Sequence, residues 1–263
     1  MKKEPFTGIF DSGVGGLTVL SECMRLLPAE NFYYFADSGY APYGERSRNE
    51  ISERCFEISD RMIETGAKAI LVACNTATSS SIKDMRRRYS IPIVGMEPAL
   101  KPAVEANLEG NILVLGTSFT IRQEKYSTLL KRFEKKHNII SLPCPGLVRF
   151  IERGDLETVK LKHHISRILS DIETERTGAV VLGCTHYVYL KDLLRRFFPP
   201  EVRFFDGNEG TARRLQWLLQ QNRILSERKA SHENQISIDT SGDALHVLPL
   251  CNRLLKVCLN NFY

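Results

Sequence analysis

The sequence predicts an α/β fold of two pseudo-symmetric lobes, each with a mainly parallel sheet flanked by helices. Short runs of branched apolar residues alternate along the chain with longer segments of helical periodicity, which is typical of parallel strands covered on both faces. A length of 263 residues favours two lobes over one. Two of the runs, in residues 70–78 and 179–187, also share an ending: a small residue, a cysteine and then side chains that cap helices.

The strand pattern recurs nine times along the chain. Predicted strands cover residues 7–10, 32–36, 70–73, 91–95, 111–115, 139–142, 179–182, 202–206 and 236–239. Apolar residues at helical spacing predict a helix over 48–64, and the helix that follows the strand at 202–206 should bury Trp217. The strand at 111–115 repeats the opening strand at nearly the offset that separates the two cysteine runs, as an internal duplication would produce.

Two loops are rich in glycine. Residues 11–17 resemble a dinucleotide-binding loop but lack its third glycine, because Thr18 stands there. This loop can still bring backbone N–H groups to an anion at a helix start. Residues 37–44 hold too much Gly, Pro and Ser for regular structure and carry two tyrosines. They predict either a ligand-lining loop or a structural turn that packs the tyrosines.

Composition argues against several classes of protein. No apolar run reaches the roughly 18 to 20 residues of a membrane-spanning helix, and the first residues do not have the pattern of a signal peptide. The net charge of +5 is too mild to favour nucleic-acid binding. Seven cysteines without a C-x-x-C pair indicate a reducing cytosol rather than a disulfide framework or a zinc site. We therefore expect a cytoplasmic protein without a bound metal.

Cys74 and Cys184 are the candidates for chemistry. Each should lie just past the carboxyl end of a parallel strand, at a loop that leads into a helix, where α/β sheets bind ligands. A lone cysteine is more often a small buried hydrophobe, but two in matching contexts favour a functional role. Helix starts beside both sulfurs would favour the thiolate form.

Two cysteines on opposite walls of a cleft between the lobes would form an acid–base pair. A thiolate can remove a proton from one face of a stereocentre while a thiol returns one to the other face. Asp11 and His186 are the nearby ionisable candidates for tuning the thiols or relaying protons. A histidine at this position is also consistent with a satisfied, half-buried side chain.

Four motifs then occur in a telling order: FDSGVGGL at 10–17, ADSGYAPYG at 36–44, ACNTA at 73–77 and GCTHY at 183–187. With them the chain resembles the cofactor-independent aspartate/glutamate racemase family over almost its whole length. The first two motifs favour members that act on glutamate. The resemblance implies two lobes, 1–97 with 208–263 and 98–207, with the active site in a cleft between them. Val188-Tyr189 departs from the usual Pro-Leu of the family, which affects local loop shape more than chemistry.

The resemblance also assigns roles to residues of this sequence. It implies that Cys74 and Cys184 are the acid–base pair, the first serving the D enantiomer and the second the L enantiomer. Asp11, His186 and Glu152 are implied to support them, Glu152 only by analogy with an acidic residue near the second cysteine. The implied glutamate-binding residues are Asp11, Ser12, Tyr43, Gly44, Asn75, Thr76, Thr185 and His186.

These implications predict an isomerase that interconverts L- and D-glutamate and supplies D-glutamate for peptidoglycan. We expect no cofactor, a homodimer, glutamate as the small-molecule partner, and no nucleic-acid or membrane partner. Three alternatives stay open. They are a racemase of aspartate or another acidic amino acid, a thiol hydrolase that uses one cysteine with His186, and a non-catalytic binding protein of the same fold.

Overall fold

The computed structural model describes residues 4–226 and 235–260, and these contain nine strands and eleven α-helices. The strands are β1 (Phe6–Asp11), β2 (Phe32–Ala36), β3 (Ala67–Val72), β4 (Ile93–Gly95), β5 (Asn111–Gly116), β6 (Ile139–Pro143), β7 (Thr177–Leu182), β8 (Arg203–Asp206) and β9 (Ile236–Thr240). The helices are α1 (Leu17–Leu26), α2 (Arg48–Glu64), α3 (Asn75–Arg88), α4 (Leu100–Glu105), α5 (Ser118–Arg122), α6 (Glu124–Lys131), α7 (Leu147–Glu152), α8 (Val159–Ile168), α9 (Lys191–Arg195), α10 (Asn208–Gln221) and α11 (Ala244–Asn260). Short 3₁₀ helices cover Ser38–Tyr40, Tyr43–Glu45, Thr174–Arg176 and Thr185–Leu190.

The chain divides into two compact units, each with its own sheet. The first unit consists of Met1–Met96 and Asn208–Tyr263, and the second of Glu97–Gly207. The sheet of the first unit has the order β4-β3-β1-β2-β9, and that of the second has the order β6-β5-β7-β8. Every pairing in both sheets is parallel. The predicted α/β class with parallel sheets and flanking helices is therefore confirmed.

The two sheets repeat one topology. Strands β2-β1-β3-β4 of the first unit correspond in order to β6-β5-β7-β8 of the second, and β9 is an addition beside β2. Both central pairs carry a register shift one residue into the ladder, between Phe6 and Thr7 in one and between Asn111 and Ile112 in the other. The matching order and the matching irregularity are what an internal duplication would leave.

The core of the second unit shows why these runs form buried strands. Ile112 and Val114 of β5 alternate with residues on the other face, as do Ala179 and Val181 of β7. These four side chains pack against α4 and α6, for example against Leu100. Full burial of an aliphatic side chain stabilises the fold by roughly 1.5–3 kcal/mol, so such a layer holds the carboxyl ends of its strands in place.

Helix α2 occupies 48–64 as predicted, because a capping box fixes its start. Ser47 accepts a hydrogen bond from the backbone N–H of Glu50, whose carboxylate accepts one from the backbone N–H of Ser47. The prediction that Trp217 is a core residue is wrong. Its side chain is 46% exposed, and the guanidinium of Arg214 lies over the ring. Trp217 is two residues beyond the buried Leu215, a spacing that turns it to the opposite face of the helix.

Candidate active site

Cys74 caps the start of helix α3. It follows the last residue of β3 by two positions and has an extended backbone, and its sulfur accepts a hydrogen bond from the backbone N–H of Ala77 at 3.4 Å. Its thiol also lies 3.7 Å from the hydroxyl of Ser12, to which it donates. A helix of 14 residues begins at this sulfur, and the positive end of its dipole favours the thiolate. The predicted position of Cys74 is confirmed.

The loop after β1 presents Asp11 and Ser12 beside this cysteine. One carboxylate oxygen of Asp11 accepts hydrogen bonds from the Ser12 hydroxyl at 3.2 Å and from the backbone N–H of Gly13 at 3.0 Å. The phenol of Tyr34 donates to the Gly13 carbonyl at 2.5 Å and closes the turn. Only glycine fits at position 16, because a Cβ there would lie 2.7 Å from the Cβ of Asp11.

Asn75 carries the clearest indication of a ligand. The residue is only 3% exposed, and neither its side-chain oxygen nor its side-chain nitrogen has a hydrogen-bond partner among the described residues. An unsatisfied buried amide costs about 1–3 kcal/mol, and native structures tolerate it mainly where another molecule supplies the partner. The neighbouring Thr76 is also buried. Both residues lie in the first turn of α3, next to Cys74.

Tyr43 and Gly44 lie in a short 3₁₀ helix of the first unit. The Tyr43 side chain is fully buried, and its phenol donates to the carboxylate of Asp37 at 2.5 Å. Burial first, and then the charges of Cys55 and Asp37, raise the pKa of Tyr43 well above its ordinary value. The phenol therefore remains a hydrogen-bond donor across the neutral range.

Cys184 has a different environment in the second unit. It follows β7 by two residues, as Cys74 follows β3, and its sulfur lies 3.8 Å from Nδ1 of His186. Nε2 of His186 lies 2.5 Å from a carboxylate oxygen of Glu152, the last residue of α7. Burial lowers the pKa of His186, but the hydrogen bonds to Cys184 and Glu152 outweigh it, and the pKa lies well above its ordinary value. The adjacent Thr185 is buried.

The helix expected after Cys184 begins with a 3₁₀ segment. Residues Thr185–Leu190 form a 3₁₀ helix, and the Cys184 side chain makes no capping hydrogen bond. β-Branched and aromatic residues dominate this segment and disfavour an α-helix, which begins only at α9. The segment includes Val188-Tyr189, where the sequence departs from the family pattern. The buried Tyr187 anchors it by donating to the carbonyl of Cys144 at 3.0 Å.

The candidate residues therefore form two groups, one in each unit. Asp11, Ser12, Tyr43, Gly44, Cys74, Asn75 and Thr76 belong to the first unit, and Glu152, Cys184, Thr185 and His186 to the second. Within residues 4–226 and 235–260, no three or more His, Cys, Asp and Glu side chains gather as a metal ion would require. Over the same residues no helix is long and apolar enough to cross a membrane. The sequence alone indicates no role for Asp37 or Arg54, which form a partly buried ion pair whose carboxylate accepts the Tyr43 hydrogen bond.

The chain belongs to the Asp/Glu/Hydantoin racemase family, whose model matches residues 16–215. A protein named glutamate racemase from Clostridium perfringens is 40% identical over 98% of this chain and 98% of its own length. A glutamate racemase isoform from Bacillus anthracis has a similar structure, with a TM-score of 0.83 at 30% identity over 97% of this chain and 95% of that one. An Escherichia coli glutamate racemase, solved with L-glutamate and the activator UDP-MurNAc-ala, gives a TM-score of 0.82 at 32% identity, covering 95% of each chain.

Proposed function

We propose that this chain is a glutamate racemase that interconverts L- and D-glutamate without a cofactor, with Cys74 and Cys184 as its acid–base pair. The observation that carries the proposal is the repeated position of the two cysteines. Cys74 follows β3 by two residues and Cys184 follows β7 by two residues, and these strands have corresponding places in the two sheets. Each sulfur contacts a group that can favour its charged form. The names and the extent of the similar proteins support glutamate as the substrate.

The chemistry requires glutamate to meet one thiol on each face of its α-carbon. One cysteine, as thiolate, takes the α-proton and becomes a thiol, leaving a carbanion next to the carboxylate. The other cysteine, as thiol, delivers its proton to the opposite face and becomes a thiolate. Because an ordinary cysteine has a pKa of about 8.5, both forms are accessible near neutral pH. The reverse reaction uses the same groups in exchanged roles.

Groups of the first unit are suited to the charges of glutamate. The Asn75 side-chain amide, which has no hydrogen-bond partner among the described residues, can donate to a substrate carboxylate. The backbone N–H groups of the first turn of α3 can donate to the same carboxylate. The Asp11 carboxylate can bind the substrate ammonium. In the second unit, Glu152 keeps His186 oriented toward Cys184, so that a cationic imidazole stabilises the thiolate.

The wider assignment is also a proposal. We propose that 1–97 with 208–263 and 98–207 act as the two lobes of the enzyme, each contributing one cysteine. We further propose a homodimer in the cytoplasm that supplies D-glutamate for peptidoglycan. The mild net charge of +5 favours neither nucleic acid nor a membrane surface as a partner.

A circular-dichroism time course with separate amino acids tests the proposal. L-Glutamate and D-glutamate should both decay to zero signal, at rates well above those with aspartate. Glutamine should be a very poor substrate, because donors built for the side-chain carboxylate would lose their partner. Faster loss of signal with aspartate would assign the chain to the alternative substrate. A constant signal with every acidic amino acid would contradict racemisation, and release of ammonia from glutamine would favour a thiol hydrolase.

A further inference from the structure

A partly buried ion pair holds the loop that carries Tyr43 and Gly44. Asp37 begins this loop, and its side chain is completely inaccessible to solvent. The guanidinium of Arg54, from helix α2, reaches both carboxylate oxygens, with Nη2 at 2.6 Å from Oδ1 and Nε at 3.2 Å from Oδ2. Such a two-point contact between planar groups fixes orientation as well as distance. The same carboxylate accepts the hydrogen bond of the Tyr43 phenol.

Arg54 also contacts the middle of the loop. Its guanidinium lies over the ring of Tyr40, 4.0 Å from the centroid, and donates to Glu57 on its own helix at 2.5 Å. One cation therefore meets the start of the loop at Asp37, its middle at Tyr40 and, through the shared carboxylate, its end at Tyr43. Removing this cation would leave a buried carboxylate without its counter-charge, which is strongly unfavourable.

We propose that Asp37 and Arg54 are positioning residues for glutamate binding, which fix residues 38–44 so that Tyr43 and Gly44 meet the substrate. The inference rests on the proposed function, since it takes the role of this loop from there. Neither positioning residue needs to touch glutamate. An interaction that holds a binding loop equally before and during the reaction acts mainly on KM and much less on kcat.

The same helix supplies a matched control. Arg61 lies seven residues beyond Arg54 and likewise pairs with an aspartate, Asp239, at 3.3 Å. Its guanidinium also lies over an aromatic ring, 5.8 Å from the centroid of Phe35. This side chain is 64% exposed, and its partner is on β9 rather than in residues 38–44. Arg54→Met and Arg61→Met thus remove the same chemistry from one helix, with and without contact to the loop.

The test measures kcat and KM for both enantiomers, together with hydrogen–deuterium exchange of the backbone amides of 38–44. Arg54→Met should raise KM about tenfold or more, with a smaller change in kcat, and should accelerate exchange in the loop. Arg54→Lys should fall between Arg54→Met and the wild type, because it keeps the charge but not the planar fork. Arg61→Met should leave KM within about twofold, as expected for an exposed pair.

Asp37→Asn extends the test in case Arg54→Met does not fold, since it keeps the shape of the side chain and removes the charge. It should also raise KM and accelerate exchange in 38–44. A folded Arg54→Met or Asp37→Asn protein with unchanged KM and unchanged loop exchange would overturn the inference, whereas racemisation by the wild type would still support the proposed function. If the wild type does not racemise glutamate, the proposed function fails, and loop exchange alone decides whether the ion pair orders residues 38–44.

Discussion

Cys74 and Cys184 occupy equivalent places in two equivalent sheets, but their sulfurs contact different groups. Cys74 accepts a backbone N–H from the first turn of a long α-helix and donates to a serine hydroxyl. Cys184 has no such helix and instead lies beside His186, which hydrogen-bonds to the partly buried Glu152. The repeated backbone thus determines where each thiol is, and local side chains determine which groups each sulfur contacts. A racemase needs two thiols in equivalent positions, but it does not need both thiols to have the same neighbours.

The strand beside each cysteine explains part of this difference. Phe10 of β1 pairs with the end of β3, and Leu115 of β5 pairs with the end of β7, so Ser12 and Thr117 are counterparts two residues further on. Ser12 is within hydrogen-bonding distance of Cys74. Thr117 instead caps α5, and its side chain accepts from the backbone N–H of Thr120. The Ser12 hydroxyl contacts the cysteine of the first unit, and the His186 imidazole contacts the cysteine of the second.

The largest expected effect comes from either cysteine. Cys74→Ser or Cys184→Ser should lower racemisation in both directions by about 10² to 10⁴. A serine hydroxyl is far too weak an acid to ionise near neutral pH, so it cannot serve as the base. Cys258→Ser, at a half-buried position of α11, is the control and should keep the wild-type rate. Steady-state polarimetry checks all three. Normal turnover by either active-site variant would contradict the two-base account.

The partners of the two sulfurs should differ in importance. His186→Asn removes a charged hydrogen bond worth about 1.5–3 kcal/mol and should slow racemisation roughly 10- to 100-fold. Ser12→Ala removes a neutral one worth about 0.5–1.5 kcal/mol and should slow it roughly 3- to 10-fold. Steady-state rates of the two variants check this order. Equal effects would mean that the two cysteines depend equally on their partners, despite their different contacts.

Each of these two changes should also act on one direction of proton removal. Slowing one base makes its step more rate-limiting, so α-deuterated substrate should show a larger isotope effect in the direction that uses that base. On the implied assignment, Ser12→Ala enlarges the effect with D-glutamate and His186→Asn enlarges it with L-glutamate. The opposite pattern would exchange the roles of the two cysteines.

A smaller effect should appear in the pH dependence of stability. Because the folded pKa of His186 is raised above its ordinary value of 6.5, its stabilising contribution is complete below that value and is lost as pH rises through the folded pKa. Urea unfolding of His186→Gln against wild type should thus give a difference that is largest below about pH 6.5 and shrinks as the pH rises through the folded pKa. The exposed His163→Gln serves as a reference. A difference that grows with pH would contradict the hydrogen-bonded cation.

No effect is expected from reagents that remove metals or block pyridoxal phosphate. The proposed chemistry uses only two thiols, so EDTA and hydroxylamine should leave the rate unchanged. The check is the polarimetric rate before and after dialysis against each reagent. Activity that disappears and then returns on adding a metal ion or pyridoxal phosphate would require a different mechanism.

The strands of both sheets could be predicted from the sequence because a buried strand is a short run of consecutive apolar residues. The runs before Cys74 and Cys184 are apolar on both faces, and their predicted positions at strand ends are confirmed. The helix predicted after Cys184 is present, but it begins with a 3₁₀ segment because weak α-helix formers dominate Thr185–Leu190. The apolar character of Trp217 predicts burial, but its position in the helix, two residues from the buried Leu215, turns it to the exposed face.

The side-chain network was less accessible from sequence. The contact between Arg54 and Asp37 joins residues 17 apart, and only folding of α2 against the loop brings them together. The same holds for Glu152 and His186, which are 34 residues apart. The resemblance implied a supporting role for Glu152 but not its contact with His186. Charged pairs of this kind have no periodicity, so their partners must be found in three dimensions.

The central claim is that two cysteines act on opposite faces of one carbon, and conversion of L-glutamate in D₂O tests it most directly. The thiol that delivers the proton exchanges with solvent, whereas the thiolate receives its proton from the substrate. Mass spectrometry of early time points, after separation of the enantiomers, should find deuterium at the α-carbon of D-glutamate and mostly protium in the recovered L-glutamate. Deuterium that enters unreacted L-glutamate before D-glutamate appears would contradict the account.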